Sequence, residues 1–429
     1  MSPPLCCNEV FAAPGRHLVG EEIMHRIASV VAGLSLAFVG TSATIAATIN
    51  VNPGESIQAA INASSNGDVI NIAAGTYSEY NLNPGGKAIT IQGTRNSDGS
   101  LATIIDGQDD GVVFRFISQE DQETILSDLM ITGGLANYGG GIYCYDNSSP
   151  TISGCTISGN TGYSHGGGIY CYKFSNPTIR GCTISGNTGY SQGGGIYCGY
   201  DSTPTISNCT IEGNESYNNG GGIYCWDSFP TISDSEFIDN SADNGGGLYC
   251  RISNPTITGC TISGNTVYNG GGIYCNDSSP TITDCTISGN AAEDNGGGIY
   301  CTDGNYGSRP TVTNCTISGN AVGEGGVGGI YCHPSIAEFN MPYIGDTEIC
   351  GNESVQINGP YTDNGGNTVA DECPGADCAA DLNNSGAVDI EDLLLVIGGW
   401  GSSNGDCDDD GDTDIQDLLV IIGGWGACS

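Results

Sequence analysis

Oxygen-bearing side chains near the C-terminus have the spacing of calcium ligands. They stand at positions 1, 3, 5, 9 and 12 of two loops that begin 25 residues apart, with glycine at position 6 of each. Position 7 supplies a backbone carbonyl, so each loop can surround one calcium ion with oxygen, in the manner of an EF-hand. The predicted ligands of the two ions are Asp381, Asn383, Ser385, Ala387, Asp389 and Asp392 in the first loop and Asp406, Asp408, Asp410, Asp412, Asp414 and Asp417 in the second.

Each loop runs into a short apolar helix, predicted over residues 393–397 and 418–422, which ends at Gly-Gly-Trp-Gly. The alternative is a solvated acidic tail, but two loops in register, each followed by the same helix, favour calcium. Because a hydroxyl is a weaker ligand than a carboxylate, Ser385 against Asp410 at position 5 predicts tighter binding in the second loop.

This duplicated loop–helix pair, with Asp at position 12, resembles a type I dockerin over residues 379–429. The resemblance implies a partner that is cohesin-like or another cell-surface protein, contacted through loop positions 10 and 11. Those positions hold Ile390-Glu391 and Ile415-Gln416 instead of the usual small hydroxyl pair. The departure puts a standard cohesin partner in doubt.

The calcium module follows a long segment of sequence repeats. Gly139-Gly-Gly-Ile-Tyr-Cys144, followed by Pro150-Thr-Ile152 and by Cys155 to Asn160, recurs every 25–27 residues. Such a period indicates a solenoid, a propeller or an array. Each copy contains three β-type runs, and a propeller blade needs about 40 residues. The predicted fold is therefore all-β, a parallel β-helix, with a small C-terminal α-helical domain.

The paired Gly-Gly-Gly-Ile and Ile-Ser-Gly-Asn elements resemble the repeats of polymorphic outer membrane proteins. Over roughly residues 48–370 the coils resemble the right-handed β-helix of the pectin-lyase-like superfamily. The resemblance implies an architecture and no single activity, because this fold hosts lyases, hydrolases, epimerases and adhesins.

The two-residue strand period places Ile142 and Cys144 inside the coil and Tyr143 outside. Repetition of this pattern predicts an outward tyrosine strip that could meet sugar rings. An acidic column of Asp146, Asp201, Asp227, Asp277 and Asp303 follows it. Outward Thr-x-Ser pairs form a third column, which resembles the arrays of ice-binding solenoids. The alternative for all three columns is that they complete the solenoid surface and bind nothing. The tyrosines of the strip are Tyr143, Tyr170, Tyr197, Tyr224, Tyr249, Tyr274, Tyr300 and Tyr331.

Asparagine closes each repeat, and we expect it in a left-handed turn with its amide in a ladder along the solenoid. These residues are Asn160, Asn187, Asn214, Asn240, Asn265, Asn290 and Asn320.

The predicted domains are an export segment within residues 1–47, a β-helix over 48–372, a linker over 373–378 and the calcium module over 379–429. Within the β-helix, 48–136 form an N-terminal cap and irregular coils, 137–332 the regular repeats, and 333–372 a last coil. Residues 56–63 should form a capping helix that buries Ile57, Ala60 and Ile61. Met24-His-Arg26 opens an export signal, and the 23 residues before it are an extended N-terminal region of that signal or, as we favour, the result of a misplaced start codon.

The net charge of −39 argues against nucleic acid or an anionic membrane as partner. No stretch is apolar and long enough to span a membrane. We therefore expect a secreted protein, free or attached to the cell surface.

Cysteines form two further columns, one including Cys144 and the other Cys155. We expect them to pack as small inward hydrophobes, with disulfides within coils as the alternative. The absence of Cys-x-x-Cys spacing argues against a metal site in these columns. Cys373, Cys378, Cys407 and Cys428 flank the calcium module and are candidates to staple it.

The regular coils offer few groups for catalysis: Lys173, Arg180, Arg251 and Arg309 as cations, and His165 and His333 as bases. The predicted function is non-catalytic binding or scaffolding in extracellular polysaccharide handling or at the cell surface. The alternatives are a polysaccharide lyase or glycoside hydrolase and, third, an adhesin.

Overall fold

The structure is a computed structural model that describes residues 46–302, 307–333 and 341–373, and the backbone of two short antiparallel strands, Ala387–Val388 and Gly426–Ala427. Residues 1–45 of the predicted export segment, Asp303 and the predicted calcium-ligand side chains lie outside the described residues. Within the part described, no helix is long and apolar enough to cross a bilayer.

Four parallel sheets run along one axis, and each regular coil contributes to sheets 1, 2, 3 and 4 in that order. The strands of sheet 1 are Thr48–Val51, Val69–Ile72, Thr90–Gln92, Ile125–Ser127, Thr151–Ser153, Thr178–Arg180, Thr205–Ser207, Thr231–Ser233, Thr256–Thr258, Thr281–Thr283, Thr311–Thr313, Tyr343–Gly345 and Thr362–Asp363. The strands of sheet 2 are Gly75–Ser78, Thr103–Asp106, Met130–Thr132, Thr156–Ser158, Thr183–Ser185, Thr210–Glu212, Glu236–Ile238, Thr261–Ser263, Thr286–Ser288, Thr316–Ser318, Glu348–Cys350 and Thr368–Ala370.

The strands of sheet 3 are Leu135–Tyr138, Thr161–His165, Thr188–Gly189, Glu215–Ser216, Ser241–Asn244, Thr266–Asn269, Ala291–Asn295 and Ala321–Val322. The strands of sheet 4 are Phe114–Phe116, Ile142–Tyr145, Ile169–Tyr172, Ile196–Gly199, Ile223–Trp226, Leu248–Arg251, Ile273–Asn276, Ile299–Thr302, Ile330–Cys332 and Ile357–Asn358. The described chain is thus a parallel β-helix of about ten turns, as the repeat predicts.

Stacked isoleucines form the core. Ile152, Ile179 and Ile206 pair in register in sheet 1 and are fully buried, and sheet 2 repeats the arrangement. Parallel neighbours lie about 4.8 Å apart, so each side chain packs on its equivalent in the next coil. Burial of one such side chain contributes about 1.5–3 kcal/mol, which is why no coil is stable without its neighbours.

The prediction of three strands per coil is wrong, because a regular coil has four. The additional strands make sheet 3 and follow the asparagine, as in Thr161–His165. Their sequences are polar and glycine-rich and lack the alternating apolar pattern that marks strands in the other sheets. Backbone hydrogen bonds to the neighbouring coils hold this segment extended instead.

The Gly-Gly-Gly triplet turns the chain from sheet 3 into sheet 4. Gly193 has a φ of +68°, and a Cβ atom there would lie 2.6 Å from the carbonyl oxygen of Ile196. A Cβ on Gly195 would lie 2.6 Å from the carbonyl oxygen of Gly222 in the next coil. The repeated glycines are therefore required by the backbone geometry.

The asparagine ladder is present and buried. The side-chain amide of Asn187 donates to the Asn214 side-chain oxygen at 3.0 Å and to the Ile157 carbonyl at 2.8 Å, and the Asn187 backbone N–H donates to the same Asn214 oxygen at 3.1 Å. The expected left-handed conformation, however, falls on the preceding residue, for example Gly186 with a φ of +57°. That placement turns the asparagine side chain inward, where it replaces the missing backbone partners.

The predicted capping helix, α1, spans Ile57–Ala63 and buries Ile57, Ala60 and Ile61 against the first coil, as expected. Its N-cap Ser56 accepts a hydrogen bond from the Ala59 backbone N–H at 3.2 Å. The Glu79 carboxylate accepts another from the Ile57 N–H at 2.6 Å. These acceptors satisfy N–H groups that have no partner inside the helix.

The described column cysteines are buried thiols, so the packing interpretation is confirmed. The disulfide that the described residues contain joins Cys350 and Cys373. The suggestion that Cys373 staples the C-terminal module is therefore wrong: its partner is a strand residue of sheet 2. The bond ties the last coil to the segment that leaves it.

Candidate functional site

The eight predicted tyrosines stack as one continuous column along sheet 4, here called the inner tyrosine column. Strand register places each tyrosine beside its equivalent in the next coil, as for Tyr170 and Tyr197. Consecutive ring centroids lie 4.7–5.4 Å apart. Most consecutive rings are nearly parallel, with 6° between the planes of Tyr143 and Tyr170. The predicted stacking is thus observed.

The inner tyrosine column is much less open than the sequence suggests. Tyr197 and Tyr224 are only 2% and 1% exposed, and Tyr143, Tyr274 and Tyr331 are half-buried. Burial raises the pKa of the Tyr143 hydroxyl to about 12. The expectation of an open strip is corrected here, because each ring face lies on its neighbours and is withdrawn from sugars.

A second row of aromatic side chains, the outer aromatic column, lies two or three residues further along the strands and is more open. It consists of Tyr145, Tyr172, Tyr200 and Trp226. Ring centroids are 6.2 Å apart for Tyr145 and Tyr172 and 5.5 Å apart for Tyr172 and Tyr200. Tyr200 is 42% exposed, and the other three are intermediate. These rings rest on the inner tyrosine column, with Tyr170 to Tyr172 at 5.6 Å.

Gly199 explains the one irregularity in the outer aromatic column. It stands at the strand position that Tyr172 and Trp226 occupy in the neighbouring coils. A Cβ atom there would lie 2.7 Å from a ring carbon of Tyr197. The next residue, Tyr200, supplies the ring instead and has a φ of +54°.

The end of sheet 3 extends the aromatic surface on its other side. The Tyr138 ring lies 5.1 Å from that of Tyr170, and His165 stacks on Tyr197 at 4.7 Å with 9° between the planes. Burial lowers the pKa of His165, and its Nδ1 atom is buried without a partner. We call the whole surface the aromatic patch: Tyr138, Tyr143, Tyr145, His165, Tyr170, Tyr172, Tyr197, Tyr200, Tyr224 and Trp226.

Cations border the aromatic patch. The Arg115 guanidinium lies 5.6 Å from the centre of the Tyr143 ring, and the Lys173 ammonium lies 5.2 Å from that of Tyr145. Lys173 also pairs with Asp146 at 2.9 Å. Burial raises the pKa of Tyr224, which a hydrogen bond from Arg251 opposes. Two cations, Arg115 and Lys173, are therefore held against aromatic rings, an arrangement that is favourable in itself.

The aromatic patch covers only the first four regular coils. After Trp226, the same strand position holds Arg251, Asn276 and Thr302. The near-identical repeats therefore conceal a difference between the two halves of the solenoid. In the sequence, this difference lies at the variable position that follows Ile-Tyr-Cys in each repeat.

The remaining predicted groups lie apart from the aromatic patch or take structural positions. Asp146, Asp201, Asp227 and Asp277 occupy left-handed turns with φ between 48° and 59°, a conformation that Asp tolerates better than most residues. Arg309 lies over Tyr343 at 5.2 Å. Arg180 is exposed on sheet 1, and the His333 ring meets Tyr331 edge-on.

Comparison with known families identifies the class of protein. Residues 65–241 and 191–340 match the family described as right-handed beta helix region. The two matches together cover more than half of the chain, so the chain belongs to this family of right-handed β-helices. No curated protein matches the sequence.

Several solved structures are similar to the chain. Pectate lyase Pel9A is 15% identical with a TM-score of 0.46, over 86% of this chain and 89% of that one. The PL6 family alginate lyase AlyGC is 14% identical with a TM-score of 0.45, over 76% of this chain and 51% of its own. A GH87 alpha-1,3-glucanase from Streptomyces thermodiastaticus is 16% identical with a TM-score of 0.37, over 76% and 70%.

Proposed function

We propose that this chain binds an extended polysaccharide on the aromatic patch without cleaving it. The carrying observation is the outer aromatic column, in which Tyr145, Tyr172, Tyr200 and Trp226 stand at one-coil steps and keep part of each ring open to solvent. Aromatic rings bury large areas against flat, weakly polar surfaces. A row of them along a straight axis suits a long ligand better than a compact one.

The inner tyrosine column supports this role by positioning the outer one. Its rings are stacked and mostly buried, so they hold the outer rings from beneath with little freedom to reorient. A preorganised surface loses less side-chain entropy on binding. The burial of Tyr197 and Tyr224 is therefore useful to the proposed site even though neither ring face meets the ligand.

We further propose that the solenoid over residues 48–372 is secreted and carried by a separate calcium-loaded, dockerin-like module over 379–429. The support is the spacing of oxygen ligands in two loops and the export-type pattern before residue 48. The partner of this module would be a cohesin-like or other cell-surface protein.

Binding to a panel of soluble neutral and acidic polysaccharides, followed by size-exclusion chromatography, tests the proposal. We expect complexes with at least one polymer and no shortening of its chains. Trp226→Ala and Tyr172→Ala should each weaken that binding about tenfold, because exposed aromatic anchors dominate such interfaces. Thr256→Ala, on the exposed face of sheet 1, is the control and should bind as the wild type does.

Three results would overturn the proposal. Shorter polymer chains would establish the lyase or hydrolase alternative. Unchanged binding in both aromatic variants would move the ligand elsewhere on the solenoid. Failure to bind any polysaccharide would leave the adhesin alternative, with a protein as ligand.

A further inference from the structure

The outer face of sheet 3 carries another row of exposed tyrosines, distinct from the aromatic patch. Tyr163, Tyr190 and Tyr217 occupy the same strand position in three successive coils, and Tyr268 follows two coils later. The ring centroids of Tyr163 and Tyr190 lie 5.6 Å apart, and those of Tyr190 and Tyr217 lie 4.8 Å apart. All four are more than 40% exposed.

Carboxylates replace tyrosine on both sides of Tyr268. The pairing of Ala242 with Val267, and of Val267 with Ala292, places Asp243 one coil before Tyr268 and Glu293 one coil after it. Adjacent coils are about 4.8 Å apart, so the two acidic residues are roughly 10 Å apart along the axis. Both are exposed.

A groove lies around Tyr268 on the outer face of sheet 3. It has a volume of about 470 Å³ and is lined by Asp243, Asn244, Thr266, Tyr268 and Glu293, among others. The register shifts opposite Tyr268, because Val267 pairs with Ala292 but Asn269 pairs with Asn295. This β-bulge supplies one extra residue next to Glu293, and bulges commonly redirect side chains beside binding sites.

The charge of the groove differs from that of the aromatic patch. None of the residues lining the groove is Lys, Arg or His, whereas Arg115 and Lys173 lie over rings of the patch. Within the described chain, the side-chain carboxylates of Asp243 and Glu293 take part in no hydrogen bond or ion pair, so both are available to a ligand. A ring flanked by two unpaired carboxylates is complementary to a ligand with an apolar sugar face and positive groups beside it.

We propose that this groove is a second carbohydrate site, selective for sugars that carry a protonated amine. Tyr268 contacts the sugar ring, Asp243 and Glu293 pair with ammonium groups on either side, and the row from Tyr163 to Tyr217 continues the path for a longer chain. The site is independent of the aromatic patch and of the function proposed for it.

Calorimetry of the full calcium-loaded chain tests this, with a β-1,4-linked glucosamine hexamer and its fully N-acetylated counterpart as probes. We expect the amine form to bind at least tenfold more tightly. The double variant Asp243→Asn/Glu293→Gln should lose about fivefold in affinity for the amine form only, since each exposed ion pair contributes little. Tyr268→Ala should weaken both forms.

The matched control is Asp234→Asn/Glu236→Gln, which removes two exposed carboxylates outside the groove. We expect it to keep the selectivity. Equal losses in the two double variants would show general attraction to an acidic chain and would overturn the proposal, as would equal affinity for the two hexamers. Trp226→Ala should leave this selectivity intact, so failure of the aromatic patch and failure of the groove are distinguishable.

Discussion

The buried cysteines of the two columns differ in what their sulfur atoms contact. In the column that includes Cys260, each described sulfur lies near the backbone oxygen two residues earlier, at 3.4 Å for Cys260 and Thr258. Ser235 occupies the equivalent position one coil before, and its hydroxyl donates to the Ser233 oxygen at 2.7 Å. Neighbouring sulfurs are in contact in both columns, as for Cys198 with Cys171 and for Cys260 with Cys285, but within the described residues the Cys198 sulfur has no such carbonyl partner.

This difference predicts unequal costs for replacing cysteine by serine. Cys260→Ser should lower the free energy of unfolding by less than about 1 kcal/mol, because the hydroxyl finds the carbonyl that Ser235 uses. Cys198→Ser buries a hydroxyl among sulfurs and should cost about 1–3 kcal/mol. Urea unfolding of the two variants measures both values. A larger loss for Cys260→Ser than for Cys198→Ser would contradict this account.

Periodicity in the sequence predicted which side chains face into the coil, but it could not predict how exposed each outward side chain is to solvent. Tyr197 and Tyr143 occupy the same position in the repeat, yet Tyr197 is covered by His165 and the two adjoining rings. Exposure depends on neighbours from other coils, and the repeat does not specify those neighbours.

The asparagine ladder is the element that links coils at the turn between sheets 2 and 3. Asn214 donates to the Ile184 carbonyl at 2.8 Å and to the Asn240 side chain at 2.9 Å, and it accepts two bonds from Asn187. Removal of its side chain would leave buried donors and an acceptor without partners.

We therefore expect Asn214→Ala to cost about 3 kcal/mol, since each orphaned buried polar group costs about 1–3 kcal/mol. Thermal unfolding followed by circular dichroism measures the loss. Asn218→Ala is the control in the same coil, because that side chain is exposed and makes one long hydrogen bond, of 3.5 Å, to Ser191. Similar stabilities for the two variants would mean that the ladder adds nothing beyond the backbone pairing.

Elements with a strong local pattern were predictable, and those without one were not. The capping helix was evident from Ile57, Ala60 and Ile61 on one face. Sheet 3 escaped prediction because Thr188–Gly189 and its equivalents have no apolar alternation and depend on neighbouring coils.

At the scale of the solenoid, the repeat specifies a stack of similar coils, and the residues at its variable positions differ in chemistry from coil to coil. The first four regular coils present the aromatic patch, and later coils carry the groove beside Tyr268. The fold followed from the period together with the β-type runs in each copy. The surfaces did not, because their residues, such as Tyr200 and Trp226, stand where the repeat is least regular.

The most direct test of the central proposal is the dependence of affinity on ligand length, measured by calorimetry with oligosaccharides of a polymer that binds. The outer aromatic column spans four coils, about 15 Å from the first to the fourth. Affinity should rise with each added sugar until the ligand reaches that length and should then stay constant. In the Trp226→Ala variant, affinity should stop rising at a shorter ligand length. Affinity that is independent of length, or a plateau that Trp226→Ala leaves unchanged, would contradict binding along the aromatic patch.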